Sequence, residues 1–213
     1  AYLADETLVP PFVTLLASGG HTAIGIVEDY DVLRILGGTM DDAVGEAFDK
    51  VARVLSLPYP GGPNVEKLAR EGKNVIPMPA MLKNAGGYKF LYNGVKNPAI
   101  KFVHKTEQAG KEVPKADIAN SFQHAAVDII CRKAVCAAKE YGLKTVAIGG
   151  GVAANGYLRE YLKSLCDEQG LKLVLPEKRA CTDNAAMIAA EGYIRYTKGD
   201  YADLSLNAVA SVN

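Results

Sequence analysis

Apolar and polar positions change their period along the chain, and the changes predict its elements. Phe12 to Ala17, Thr22 to Val27 and Val32 to Leu36 are short apolar runs broken by Ser18-Gly19-Gly20 and by Glu28-Asp29, which predicts three consecutive antiparallel strands. From Met40 to Leu55 the period becomes helical: Val44, Ala47, Phe48, Val51, Ala52, Val54 and Leu55 form one stripe, with Asp42, Glu46, Asp49 and Arg53 opposite. Pro58 to Pro63 ends this helix, and Pro63 suits the first position of a second helix reaching about Arg70. The Pro-, Gly- and Asn-rich stretch that follows predicts an irregular connector, extended in this reading over about 74–115. A long helix from Lys115 to Tyr141 turns Ile118, Phe122, Ala125, Ile129 and Ala137 inward and closes at Gly142. A strand (Thr145 to Ile148), a helix (about Asn155 to Glu168), a strand (Lys172 to Leu175) and a last helix (about Asp183 to Tyr196) complete the pattern. Meandering strands followed by alternating helices and strands predict a mixed sheet with helices on both faces.

Composition narrows this little. The 213 residues are 49% hydrophobic and 23% charged, the profile of a folded globular chain. Lys plus Arg and Asp plus Glu are 24 each, so no global field draws in nucleic acid and any RNA contact must use a local patch. Cys131, Cys136, Cys166 and Cys181 show no zinc-site spacing and read as reduced, mostly buried thiols of a cytoplasmic protein. No apolar run approaches the roughly 20 residues of a membrane span. The opening Ala1 to Glu6 reads as the tail of an earlier helix, as in a chain that begins inside a larger product.

Candidate chemistry sits at the turns. Ser18-Gly19-Gly20-His21-Thr22 is either a plain glycine hairpin or a turn whose bare N–H groups cradle a phosphate. Gly149 to Asn155 joins a strand to a helix, so backbone and helix N-terminus together make a nucleotide-sized concavity. The same stretch fits a dinucleotide fingerprint with Glu177 as ribose acid, but that fold needs several further strand–helix units, and only one strand and one helix follow. Asp49 and Glu66, on successive helices bracketing Gly61-Gly62, either hold ribose hydroxyls or line a solvated face to which the i,i+4 pair Glu46 and Lys50 contributes. Asp183 can be read as an N-cap of the last helix. Lysines from Lys89 to Lys115, interleaved with Tyr88, Phe90, Tyr92 and Phe102, fit either an RNA-holding stretch or a solvated connector.

The blocks Leu16-Ala17-Ser18-Gly19-Gly20-His21-Thr22, Asp41 to Lys50, Tyr59-Pro60-Gly61-Gly62-Pro63, Gly150 to Asn155 and Cys181-Thr182-Asp183-Asn184, in this order, resemble one family. It is the tRNA N6-adenosine threonylcarbamoyltransferases, formerly called O-sialoglycoprotein endopeptidases, of the actin-like ATPase superfamily. The resemblance implies an α/β actin-like (ribonuclease H-like) lobe over residues 1–213, the second lobe of a two-lobed enzyme without its first. It implies that Leu16, Ala17, Ser18, Gly19 and Gly20 bind the phosphate side of a threonylcarbamoyl-AMP, that Asp49, Gly62 and Glu66 hold its ribose, and that Asn155 contacts the nucleotide. Asp183 becomes a ligand of a divalent metal, iron or zinc, otherwise held by an H-x-x-x-H motif before the matching region. His21, His104 and His124 do not form that motif, so weak metal binding, poor transfer by this chain, and self-association through the surface of the missing lobe are expected. Implied partners are tRNA, a dimerisation paralogue and a P-loop ATPase subunit, with no membrane. Tyr92 to Asn97 departs from the family's Ser-Gly-Leu-Lys-Thr type sequence, which leaves Lys96 without a role. The rivals are an actin-like sugar or acetate kinase and a non-catalytic paralogue, which would be expected to lose the Asn155 and Asp183 blocks. No zinc-protease motif or nucleophile triad supports a peptidase.

Overall fold

The computed structural model describes residues 1–79 and 87–207. Its sheet is built from β1 (Phe12–Ala17), β2 (Thr22–Asp29), β3 (Val32–Gly38), β4 (Thr145–Gly149) and β5 (Lys172–Val174), in the order β3-β2-β1-β4-β5. The first three strands run antiparallel as a meander, whereas β1, β4 and β5 are parallel. The mixed sheet expected from the pattern is therefore present. Because β1 and β4 are parallel neighbours, their C-terminal ends open at the same edge, where α/β sheets present loops and helix N-termini to ligands.

The helices are α1 (Val44–Val54), α2 (Gly61–Ala69), α3 (Asn93–Gln108), α4 (Lys115–Glu140), α5 (Gly156–Glu168) and α6 (Ala185–Thr197). One sheet face, with Val13, Leu15, Ala17, Ile24, Val146 and Ile148, meets α1 to α5 in a single large core. Phe48 of α1 and Phe122 of α4 sit edge-to-face at its centre, 5.1 Å apart, worth about 0.5–1.5 kcal/mol beyond burial alone. The other face carries a smaller cluster of Leu8, Phe12, Ala147 and Val174. Helices thus cover the two faces unequally. α6 buries none of its residues, and Lys198, just beyond it, ties the chain to Asp29 (2.7 Å) and Asp31 (2.5 Å) at the β2–β3 turn.

Three local expectations are corrected. The connector read over about 74–115 contains α3, whose buried positions Val95, Lys96, Ala99 and Val103 keep helical spacing. Asp41 fixes its start, accepting from the N–H groups of Tyr92 (2.7 Å) and Asn93 (2.8 Å). The second helix begins at Gly61, so Pro63 is its third residue; this is tolerated because first-turn N–H groups have no intrahelical partner. The N-cap of α6 is Asn184, not Asp183: its side chain accepts from the N–H of Met187 at 3.2 Å. Cys131, Cys166 and Cys181 are buried and all four cysteines are free, as expected. No helix among the described residues is long and apolar enough to cross a membrane.

Candidate functional site

The turn between β1 and β2 closes on itself through Ser18: its N–H donates to the carbonyl of His21 (2.8 Å), and its hydroxyl accepts from the N–H of His21 (2.9 Å). Gly19 and Gly20 donate their N–H groups to nothing among the described residues. Neither has a left-handed backbone, and a Cβ on either would meet no atom within 4 Å. The fold does not require glycine at these positions. Bare backbone at two such positions leaves their N–H groups open to close approach.

Hairpin and α1 are locked together. Thr22 Oγ1, buried, accepts from the N–H of Val44 (2.8 Å) and so caps a helix whose own N-cap, Ala43, has no polar side chain. Gly45 donates its N–H to the carbonyl of Ser18 at 3.1 Å. On the other side, Gly150 has a φ of 94°, and a Cβ there would lie 2.4 Å from the carbonyl oxygen of Ala17. Only glycine lets the 3₁₀ turn after β4 (Gly151–Ala154) press against the hairpin.

The two acids extend this contact path. Asp49 Oδ1 accepts from the N–H of Gly61, at the start of α2, at 2.7 Å. Glu66 Oε1 accepts from the N–H of Gly156, at the start of α5, at 3.1 Å, and from Arg70 at 2.7 Å. Each carboxylate thus neutralises a helix N-terminus with one oxygen. Asp49 Oδ2 and Glu66 Oε2 accept no hydrogen bond among the described residues. Hairpin, α1, α2, α5, the 3₁₀ turn and the hairpin again form a closed ring of touching elements at the C-terminal edge of β1 and β4. Leu16 to Gly20, Asp49, Gly62, Glu66 and Asn155 all belong to it. Asp49 and Glu66 line separate concavities of this ring: about 360 Å³ with Tyr59 and Gly61, and about 420 Å³ with Arg70, Gln123, Gly156 and Tyr157.

Asn155 is buried, and its amide is engaged at both ends. Oδ1 accepts from the N–H of Leu158 (2.8 Å) as the N-cap of α5, and Nδ2 donates to Gln123 Oε1 (3.0 Å). It shapes the helix N-terminus beside Glu66. Asp183 is exposed just before α6. No three His, Cys, Asp or Glu side chains gather to hold a metal among the described residues. These residues alone therefore do not make the iron or zinc centre implied by the resemblance.

The structure gives roles that residue patterns missed. Lys96 is buried and paired with Asp42, which also binds Lys50 at 2.7 Å. Burial pushes the Asp42 carboxyl up, but the hydrogen bonds from Lys50 and Lys96 outweigh it and leave the pKa below the usual value. Lys50 also pairs with Glu46 (2.8 Å), the i,i+4 contact expected on α1. Tyr88, Phe90 and Tyr92 lie in the core and Phe102 packs partly against it, so the first three offer no ring faces for stacking RNA bases. Sequence spacing could not show this, because alternation in a connector and packing of a strand-like segment against α4 look alike.

The family model described as tRNA N6-adenosine threonylcarbamoyltransferase matches residues 1–190. A curated relative of that name from Moorella thermoacetica is 47% identical over 98% of this chain and 61% of its own length. Another, from Bacillus subtilis, is 45% identical over 91% of this chain and 56% of its own. The chain thus spans about three fifths of the relatives it matches. A crystal structure of full-length HypF in a phosphate- and nucleotide-bound form superposes with a TM-score of 0.72 at 14% identity, over 94% of this chain and 42% of that one, a likeness of fold alone. With most of its length matched by the family model, this chain belongs to the tRNA N6-adenosine threonylcarbamoyltransferase family.

Proposed function

We propose that the ring of hairpin, α1, α2 and α5 binds threonylcarbamoyl-AMP, and that the protein carrying it transfers the threonylcarbamoyl group to N6 of adenosine 37 in tRNA. The observation that carries this reading is the pair of unused N–H groups on Gly19 and Gly20 beside a ring whose two acids each keep one oxygen unpartnered. The N–H groups suit a phosphate, the free oxygens suit ribose hydroxyls, and a Cβ on Gly62 would meet no atom within 4 Å. The concavity beside Glu66, Gly156 and Tyr157 takes the base.

In the transfer, the N6 amine attacks the carbamoyl carbon, a C–N bond forms, and the C–O bond to phosphate breaks with AMP taking the electron pair. The proton released from nitrogen passes to solvent. The Gly19 and Gly20 N–H groups hold charge on the departing phosphate, where fixed donors need no rearrangement as the bond breaks. Positioning supplies the rest, since no side chain among the described residues of the ring stands ready as a general base. Asp183 contributes to a metal site only together with ligands from outside the described residues, and no step above depends on it. The dimerisation paralogue, the P-loop ATPase subunit and a cytoplasmic setting belong to the same proposal. The kinase reading gains nothing from the family match.

The test is formation of threonylcarbamoyladenosine from threonylcarbamoyl-AMP and an unmodified tRNA transcript, read by nucleoside mass spectrometry with the protein as its source expresses it. Product that disappears with Asp49→Asn supports the reading. Absence of product from the unaltered protein, or product that persists in the variant, overturns it.

A further inference from the structure

Outside the ring, the helices differ in how they treat their surface charge. α1, α2, α4, α5 and α6 each tie a cation to a carboxylate four residues away: Lys50 to Glu46 (2.8 Å), Arg70 to Glu66 (2.7 Å), Arg132 to Asp128 (2.6 Å), Lys163 to Asp167 (2.6 Å) and Arg195 to Glu191 (2.7 Å). No lysine of α3 is paired in this way. Asn93, Asn97, Lys101 and Lys105 stand on it at i, i+4, i+8 and i+12, all exposed, in one row about 18 Å long. Neither the Lys101 nor the Lys105 ammonium has a partner among the described residues, and no acid lies between Asn93 and Thr106. Glu107, the one acid of the helix, faces His104 at 3.4 Å and not a lysine. Two like charges one turn apart weaken a helix, so this row is not explained by the stability of α3. The other side of the helix is fixed: Val95, Ala99 and Val103 are buried, Lys96 pairs with Asp42, and Asp41 holds the first turn. The row is thus presented outward on a firm support.

We infer that the outward face of α3 is a docking surface for the phosphate backbone of the RNA substrate. Lysine ammonium groups neutralise phosphates without regard to base identity, and asparagine amides donate to phosphate and sugar oxygens. A protein partner calls for an apolar centre inside the polar patch. Here no large apolar side chain is exposed between Asn93 and Lys115, which favours a polyanion over a protein surface. The charges of the chain balance at 24 of each sign, so the row is a local field and not part of a general excess. Its place in the fold also suits the role. α3 packs on α1, Lys96 and Lys50 meet at Asp42, and Lys50 lines the concavity of Asp49, so ion pairs join α3 to the wall of the ring. The inference rests on the tRNA reading proposed above and adds where, outside the ring, the RNA is held.

The experiment measures binding of an unmodified tRNA transcript over a series of salt concentrations. It compares the chain with Lys101→Gln/Lys105→Gln, with Lys101→Arg/Lys105→Arg and, as a charge-matched control on other helices, with Lys139→Gln/Lys163→Gln. AMP binding by calorimetry and the melting temperature are measured on the same samples. The α3 glutamine pair is expected to weaken RNA binding roughly tenfold at low salt. Its plot of log affinity against log salt becomes shallower by about 1.5, the contribution of two phosphate contacts. The arginine pair and the control keep both the affinity and the slope, and AMP affinity and melting temperature are unchanged throughout. RNA affinity and slope in the α3 glutamine pair equal to those of the unaltered chain overturn the inference and leave the tRNA reading standing. A control that loses as much overturns it as well, by making the effect one of net charge, and so does a loss that the arginine pair fails to restore. No RNA binding by the unaltered chain overturns it too, and the AMP titration then decides whether the adenylate reading survives.

Discussion

The regions around Glu66 and Asp183 carry motifs of the same family and are built in opposite ways. Glu66 lies among elements that cap one another: its carboxylate holds the start of α5, Asp49 holds the start of α2, and Thr22 holds the start of α1. Every partner comes from this chain. Asp183 precedes α6, which buries none of its residues and turns Met187, Ile188, Tyr193 and Tyr196 to solvent. The supports of Glu66 lie within the described residues, whereas α6, beside Asp183, leaves its apolar side chains exposed.

The largest effect expected on this contrast is from Gly150→Ala. It puts a Cβ 2.4 Å from the Ala17 carbonyl at a left-handed backbone, and a loss of about 3 kcal/mol in chemical denaturation is predicted. A loss under about 0.5 kcal/mol would show that the ring is not tightly closed there. Gly20→Ala is the counterpart: stability stays within about 0.5 kcal/mol of the unaltered chain, while AMP binding by calorimetry weakens roughly tenfold as the N–H approach is blocked.

At α6 the expectation reverses. Ile188→Ser together with Tyr196→Ser leaves the melting temperature unchanged and reduces self-association seen by sedimentation at high concentration; a strict monomer before substitution would contradict this. The purified chain is also expected to hold far less than one equivalent of iron or zinc by elemental analysis.

The smallest effect concerns acid. Burial holds the His124 pKa below its ordinary 6.5, so the unfolded chain takes up its proton first as pH falls. Stability from the neutral ring is complete above about 6.5 and is lost as pH falls through the folded value. His124→Gln should flatten that part of the acid slope measured by urea unfolding. An unchanged slope would remove His124 from the account.

Much of the fold is legible in the residue pattern because local periodicity and tertiary packing agree. β1 to β3, α1, α4 and α5 fall where apolar spacing puts them. α3 was hidden because Lys96 interrupts its stripe and Pro98 lies within it, and the ion pair to Asp42 that makes a buried lysine tolerable joins positions far apart in sequence. The site was legible only as motifs. Nothing local tells that Asp49 and Glu66 each spend an oxygen on a helix start, or that Asn155 is held by Gln123.

The most direct measurement is calorimetric titration of AMP into the chain and into Glu66→Gln and Asp183→Asn. A single site that Glu66→Gln weakens by roughly tenfold to a hundredfold, and that Asp183→Asn leaves as it was, is the predicted result. Equal affinity in Glu66→Gln and the unaltered chain, or a larger loss in Asp183→Asn, would contradict a nucleotide site centred on the ring.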